Sequence, residues 1–158
     1  MKAAIIFGSQ SDKDIMKKAA DVLRDFDIAF SSRVISAHRS PELLDKAIAE
    51  CEKDGTEVII AGAGLAAHLP GVIASKTLIP VIGVPIASGA LKGMDALFSI
   101  VQMPKSVPVA SVGIDNAANA AYLAAEILGV KYPELRKKIE AKRTKAKENL
   151  AKDSAVDF

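Results

Sequence analysis

Runs of residues apolar on both faces restrict the fold of this chain more than any other feature. KAAIIF (2–7) and EVIIA (57–61) carry β-branched or small aliphatic side chains at consecutive positions, and VIGV (81–84) and PVASV (108–112) read the same way. A strand of that kind has to be covered above and below, as it is inside a parallel sheet. A fifth run, AFSSRVI (29–35), is more polar and suits an edge. Between the first strand and this edge strand, Ile15, Ala19, Val22 and Phe26 recur at helical spacing, with Met16, Ala20 and Leu23 beside them. Pro41 stands where a first helical residue is welcome, and Leu43, Leu44, Ala47, Ile48 and Cys51 then form one stripe. Strands alternating with helices imply right-handed crossovers. The expected fold is α/β: a three-layer αβα sandwich around a doubly wound, five-stranded parallel sheet.

At 158 residues the chain is one domain by size and long enough for a sizeable core. Aromatics are only 4% against 50% apolar residues, so Ala, Val, Ile and Leu must build the interior. The net charge of +2 gives no mandate for nucleic acid. One cysteine, Cys51, cannot form an internal disulfide and reads as a small buried apolar residue. No metal-ligand cluster is visible, and a reducing cytoplasm is the expected location. AAIIF (3–7) is too short for a signal core, and the long apolar stretch 58–74 is broken by glycines, His68 and Pro70. Neither a leader nor a membrane span is expected.

Two later segments depart from simple surface helices. NAANAAYLAAEILG (116–129) is apolar almost all round, so it needs cover on every side, and a neighbouring subunit is the expected provider. Residues 131–158 hold nine Lys or Arg against five Asp or Glu and read as a long charged helix. Acidic residues are interspersed and aromatics for base stacking are lacking, so this helix is solvated or bridges subunits rather than binding RNA. The expected organisation is a domain over 1–130, with the charged helix 131–158 belonging to it or spanning to a neighbour.

In an open parallel sheet, ligands bind beyond the carboxyl ends of the strands. Three loops should meet there. GSQSD (8–12) follows strand one: Ser9 and Ser11 offer hydroxyls, and the next helix offers free N–H groups, together an anion cradle. Ser11 or Asp12 is equally well read as a plain helix cap. GxxxxGK[ST] and GxGxxG are both absent, so a single phosphate fits better than a nucleoside triphosphate or NAD. SAHRS (36–40) follows strand two. Its Arg39 can grip a phosphate or carboxylate with two prongs, and His38 can exchange a proton near neutrality. The alternative is that Arg39 pairs with Glu42 while His38 faces water. AGAGLAAHLPG (61–71) follows strand three, with Gly62 and Gly64 letting backbone approach a ligand along a dry wall. His68 reads first as an anchor of that loop.

GSQSD, SAHRSP, AGAGLAAHLPG, IPVIGVP, DALFSIVQMP and NAANAAYLAA together resemble the PurE family, in the family's order and at matching intervals from Ala4 to Leu128. Its bacterial members are N5-carboxyaminoimidazole ribonucleotide mutases of de novo purine synthesis. The resemblance implies a flavodoxin-like fold, a homo-octamer whose sites are shared between subunits, and a reaction that needs no metal, biotin or nucleotide cofactor. It implies that Ser9 and Asp12, with Ser11 and Ser36 alongside, hold the ribose phosphate portion, that Arg39 holds the phosphate, and that His38 is the general acid/base. The loop with Gly62, Ala63, Gly64 and Leu65 would enclose the migrating carboxylate, with His68 lining it.

Leu65 departs from the family, which usually has a second glycine there; a positive φ at that position would strain a leucine. SGALKG (88–93) also differs in detail. Within the family, relatives that carboxylate aminoimidazole ribonucleotide directly with CO2 tend to have lysine after the catalytic histidine and a polar, arginine-bearing third loop. Arg39 and the apolar GLAAHLPG place this chain beside the mutases, with direct carboxylation as the alternative. A non-catalytic nucleotide sensor would use the same first loop but has no need of a titratable group facing a dry glycine wall.

Overall fold

The computed structural model describes residues 1–152, and the end of the expected C-terminal helix, 153–158, lies outside the described residues. Five strands form one parallel sheet: β1 (Lys2–Phe7), β2 (Ala29–Val34), β3 (Val58–Gly64), β4 (Val81–Ile86) and β5 (Ala110–Ser111), in the order β2-β1-β3-β4-β5. That order is the flavodoxin-like one, with its direction of winding reversing between β1 and β3. Helices α1 (Lys13–Asp25), α5 (Ala117–Gly129) and α6 (Pro133–Lys152) cover one face; α2 (Pro41–Lys53), α3 (Leu69–Ala74) and α4 (Met94–Val101) cover the other.

The two-faced apolar pattern has the expected cause. Along β1, Ala3, Ile5 and Phe7 point into the α1/α5 core, while Ala4 and Ile6 point into the α2/α3/α4 core. All five of these side chains are buried. The central strands therefore cannot slip by one residue, since a slip would exchange the two cores.

Several elements differ from the sequence reading. β3 runs on to Gly64 because its small residues still pair with β4, Gly62 with Val84 and Gly64 with Ile86. β5 shrinks to two residues at an edge, behind Pro108, which has no N–H to give the ladder. In α2 the buried stripe is Leu44, Ala47, Ile48 and Cys51, while Leu43 is exposed. Burial pushes the Cys51 thiol above its ordinary value, as suits packing rather than chemistry.

Much of the cover for the alanine-rich α5 comes from this chain itself. Ala117, Ala120, Ala121, Ala124 and Ala125 are fully buried in the core that α1 and α6 share. Alanine allows that close approach, and Phe26 at the end of α1 meets Tyr122 edge to face at 5.5 Å. The first half of α6 docks through buried Leu135 and Ile139. Lys138 to Asp27 at 2.6 Å and Lys142 to Asp25 at 2.7 Å tie it to the end of α1. Among the described residues no helix is long and apolar enough to cross a membrane.

Candidate active site

Parallel register brings the carboxyl ends of β2 and β1 level, with β3 running two residues beyond: Phe7 sits beside Val34 on one side and Gly62 on the other. The loops that leave these ends enclose a cleft of about 450 Å³, lined by Gly8, Ser9, Ser11, Asp12, Ser36–Arg39, Ala63–Ala66, His68, Leu69 and Ser88.

The first loop is an ordered polar cradle. Ser9, not Asp12, caps the short turn, its Oγ accepting from the Ser11 amide at 3.4 Å. The Ser11 hydroxyl lies 2.9 Å from Ser9 Oγ and 3.0 Å from Asp12 Oδ1. Asp12 makes no side-chain cap bond to α1, so capping does not account for it. It is 8% exposed. Burial pushes its carboxyl above the ordinary carboxylate value, against hydrogen bonds from the Ser11 side chain and the Ser9 backbone.

The second loop is a turn stabilised by its own first residue. The Ser36 carbonyl accepts from Ser40 N at 3.0 Å, and Ser36 Oγ accepts from Arg39 N at 3.3 Å. Pro41 then starts α2. Arg39 is not paired with Glu42 among the described residues; one guanidinium nitrogen donates to the Gly8 carbonyl at 3.1 Å, joining the second loop to the first. An exposed Arg beside the cradle leaves most of its donors free for an anion.

The third loop brings the two histidines of the chain together. His38 Nε2 and His68 Nδ1 are 2.7 Å apart, with the rings at 87° and their centres 4.9 Å from each other. One nitrogen must carry the hydrogen that the other accepts. His68 gets there because the chain reverses after β3: Ala67 N donates to Leu65 O at 2.8 Å and His68 N to Ala66 O at 2.7 Å. Leu65 takes φ +54, the left-handed conformation that a leucine in this place was expected to find strained.

Of the residues expected from the sequence, Gly62 alone is not among those lining the cleft. A Cβ there would sit 2.4 Å from Met16 Sδ, so its glycine serves contact between β3 and α1 rather than approach to a ligand. Its carbonyl holds the first loop by accepting from Gly8 N at 3.1 Å. Gly8, Ala37, Ala66, Leu69 and Ser88 also line the cleft without having been expected there, and of these Ser88 lies outside the three loops read from the sequence. It follows β4, the next strand along, and its position at a carboxyl end was the available signal.

Topology and cleft together place the chain among enzymes built on the flavodoxin-like fold. The AIR carboxylase family model matches residues 2–149, and the chain belongs to that family. It is 60% identical to the N5-carboxyaminoimidazole ribonucleotide mutase of Pyrococcus abyssi over 90% of this chain and 82% of that protein. It is 51% identical to the Thermotoga maritima protein of the same name, over 94% and 87%. The crystal structure of Treponema denticola PurE superposes with a TM-score of 0.89 at 27% identity, covering 96% of this chain and 95% of that one.

Proposed function

We propose that this chain is an N5-carboxyaminoimidazole ribonucleotide mutase. It moves a carboxylate from the exocyclic nitrogen of the ribonucleotide to ring carbon 4. The observation that carries the reading is a paired imidazole, His38 against His68, between a polar anion cradle and a wall of small apolar residues. The relatives of that name support it at 51–60% identity.

The chemistry asks for little bond-making force. The carbamate N–C bond breaks, CO2 departs, and the nitrogen takes a proton from His38. Carbon 4 of the electron-rich ring then attacks CO2, and the proton on that carbon returns to His38, restoring aromaticity. One proton is lent and recovered, and no redox change occurs. Ser9, Ser11, Asp12, Ser36 and Arg39 hold the ribose phosphate end, converting remote binding energy into orientation. Ala63, Gly64, Leu65 and Ala66 keep the other end dry. His68 gives His38 a partner that can donate or accept, so the ring keeps its orientation with and without the extra proton.

The assembly in this reading is a homo-octamer, with α6 belonging to its own domain or bridging to a neighbour. Supporting it, Met94, Phe98 and Val101 leave one side of α4 apolar and exposed, and a buried oxygen of Asp95 on the same helix lacks a partner among the described residues. Sedimentation of the purified protein tests it, and a monomer in dilute buffer overturns it.

Two assays test the reaction. His38→Asn should bind ligand and assemble but not turn over; near-normal activity would move proton transfer to another group, with His68 first in line. Offering the carbamate substrate in one reaction and aminoimidazole ribonucleotide plus bicarbonate in another separates the mutase from a direct carboxylase. Higher efficiency with free CO2 would reverse the assignment.

A further inference from the structure

Behind the first loop of the cleft, α1 and β2 leave a groove of about 260 Å³ between them. Helical spacing turns Lys13, Met16, Lys17 and Arg24 toward it from α1. From β2 come Phe30 and Ser32, which lie beside Ala3 and Ile5 of β1 and so on the α1 face of the sheet. Because β2 is an edge strand, no further strand among the described residues closes the groove from outside.

Its charge is one-sided. No carboxylate lines the groove among the described residues. Arg24 is occupied, paired with Asp21 at 2.6 Å and laid over the Phe30 ring at 5.4 Å. Lys13 and Lys17 are exposed and have no hydrogen bond or ion pair among the described residues. Both stand where a helix gains nothing from a cation. Lys13 opens α1, at the positive end of its dipole. Lys17 follows one turn later on the same side, a like-charge spacing that weakens a helix. Two such lysines above a buried floor of Phe7 and Met16 make an anion site with a dry side.

Met16 gives the groove a line to the cleft. It forms part of the floor, and its sulfur lies where a Cβ on Gly62 would meet it at 2.4 Å. The Gly62 carbonyl in turn accepts from Gly8 N at 3.1 Å, holding the loop that carries Ser9 and Asp12. An unbranched thioether can shift where a branched side chain would be fixed.

We propose that this groove is a second binding site, for a nucleoside 5′-monophosphate, and that its occupancy is transmitted to the cleft through Met16. The phosphate lies between Lys13 and Lys17, and the base lies at the Phe30 end. At a helical rise of about 1.5 Å per residue, the rim from Lys13 to Arg24 is about 16 Å long, enough to separate the two. Ser32 stands between them and offers its hydroxyl to the ribose. A ligand seated there moves Met16 against Gly62 and loosens the first loop, so the ribotide in the cleft is held less tightly.

The probe is adenosine 5′-monophosphate, titrated by calorimetry into wild type, a Lys13→Gln/Lys17→Gln double variant and Arg39→Leu. The lysine variant changes only exposed side chains, and its affinity should fall about tenfold or more, as when a phosphate loses hydrogen bonds to cations. Affinity in Arg39→Leu should match wild type. Adenosine and ribose 5-phosphate should each bind far more weakly than the whole nucleotide. Absence of binding to wild type overturns the proposal, as does equally tight binding of ribose 5-phosphate. So does the opposite pattern, loss in Arg39→Leu with the lysine variant unchanged, which puts the nucleotide in the cleft. For the coupling, added nucleotide should raise KM for the carbamate to a plateau about fivefold higher. Met16→Leu should bind the nucleotide as wild type does while most of that rise disappears. An unchanged plateau in Met16→Leu overturns the route through Met16, and a KM that climbs without limit overturns the second site. The titrations need no turnover, so failure of wild type to convert the carbamate overturns the mutase reading alone.

Discussion

The two ends of the cleft are held by different means. At the polar end, side chains hold one another: Ser9, Ser11 and Asp12 form a connected set, and Arg39 ties its loop to the Gly8 carbonyl. At the apolar end the only side-chain bond among the described residues is the one between His38 and His68. The rest is backbone shape, a reversal through Leu65 to His68 lying against the loop at Gly89. The difference teaches that substitutions at the two ends should fail differently. Polar-end changes should alter how tightly the ribotide is held, whereas apolar-end changes should alter what becomes of the carboxyl group once it is freed.

The largest effect belongs to the group where the two ends meet. If His38 is the proton carrier proposed above, His38→Asn should lower kcat by roughly 10²–10⁴-fold, the usual worth of a positioned acid/base, with ligand affinity measured by calorimetry nearly unchanged. Next comes Arg39→Leu. Losing hydrogen bonds to a charged partner costs about 1.5–3 kcal/mol, so affinity for the nucleotide should fall roughly ten- to a hundredfold. A rise in KM with kcat preserved would sharpen the division, and an unchanged KM would break it.

Gly62→Ala probes the layer beneath both ends. With Met16 Sδ only 2.4 Å from the added carbon, overpacking should cost about 1–3 kcal/mol, read as a lower Tm. The smallest effect is expected at Asp12. Its carboxyl is raised by burial, so the folded state binds the proton more tightly than the unfolded chain does. Stability from this group is complete below the ordinary carboxylate value and is lost as pH rises through the raised one. Asp12→Asn should therefore melt slightly higher than wild type at neutral pH and no higher in acid, while binding the ribotide less tightly. An Asn variant that melts lower at neutral pH would mean that Asp12 is there for the fold.

Most of the frame could be read from the chain alone because its causes are local. Apolar runs on both faces, Pro41 at a helix start and loops at strand ends are each written in a few consecutive residues. Ten of the eleven residues expected at the site line one cleft for the same reason, since three loops leave three adjacent strands. What could not be read depends on partners distant in sequence. His38 and His68 are thirty positions apart, and nothing in either loop indicates that their rings would meet. Gly62 has the look of a ligand-facing glycine until Met16 is found beneath it. The alanines of α5 advertise a need for cover but not its source, and α1 and α6 supply much of it. The positive φ at Leu65 was foreseeable as a conflict between residue and family pattern, whereas its proximity to Gly89 was not.

The adjacency of β2, β1 and β3 has one more consequence. Neighbouring strands sit about 4.8 Å apart, so the step from the second loop across the first to the third is about 10 Å. The sheet is therefore a ruler: it fixes how far an anchored phosphate can lie from a reacting atom, in increments that no side-chain exchange can alter. Redesigning the loops could change which head group is gripped or which bond is worked on, but a ligand much shorter or longer than that span would find its two ends served by the wrong strands.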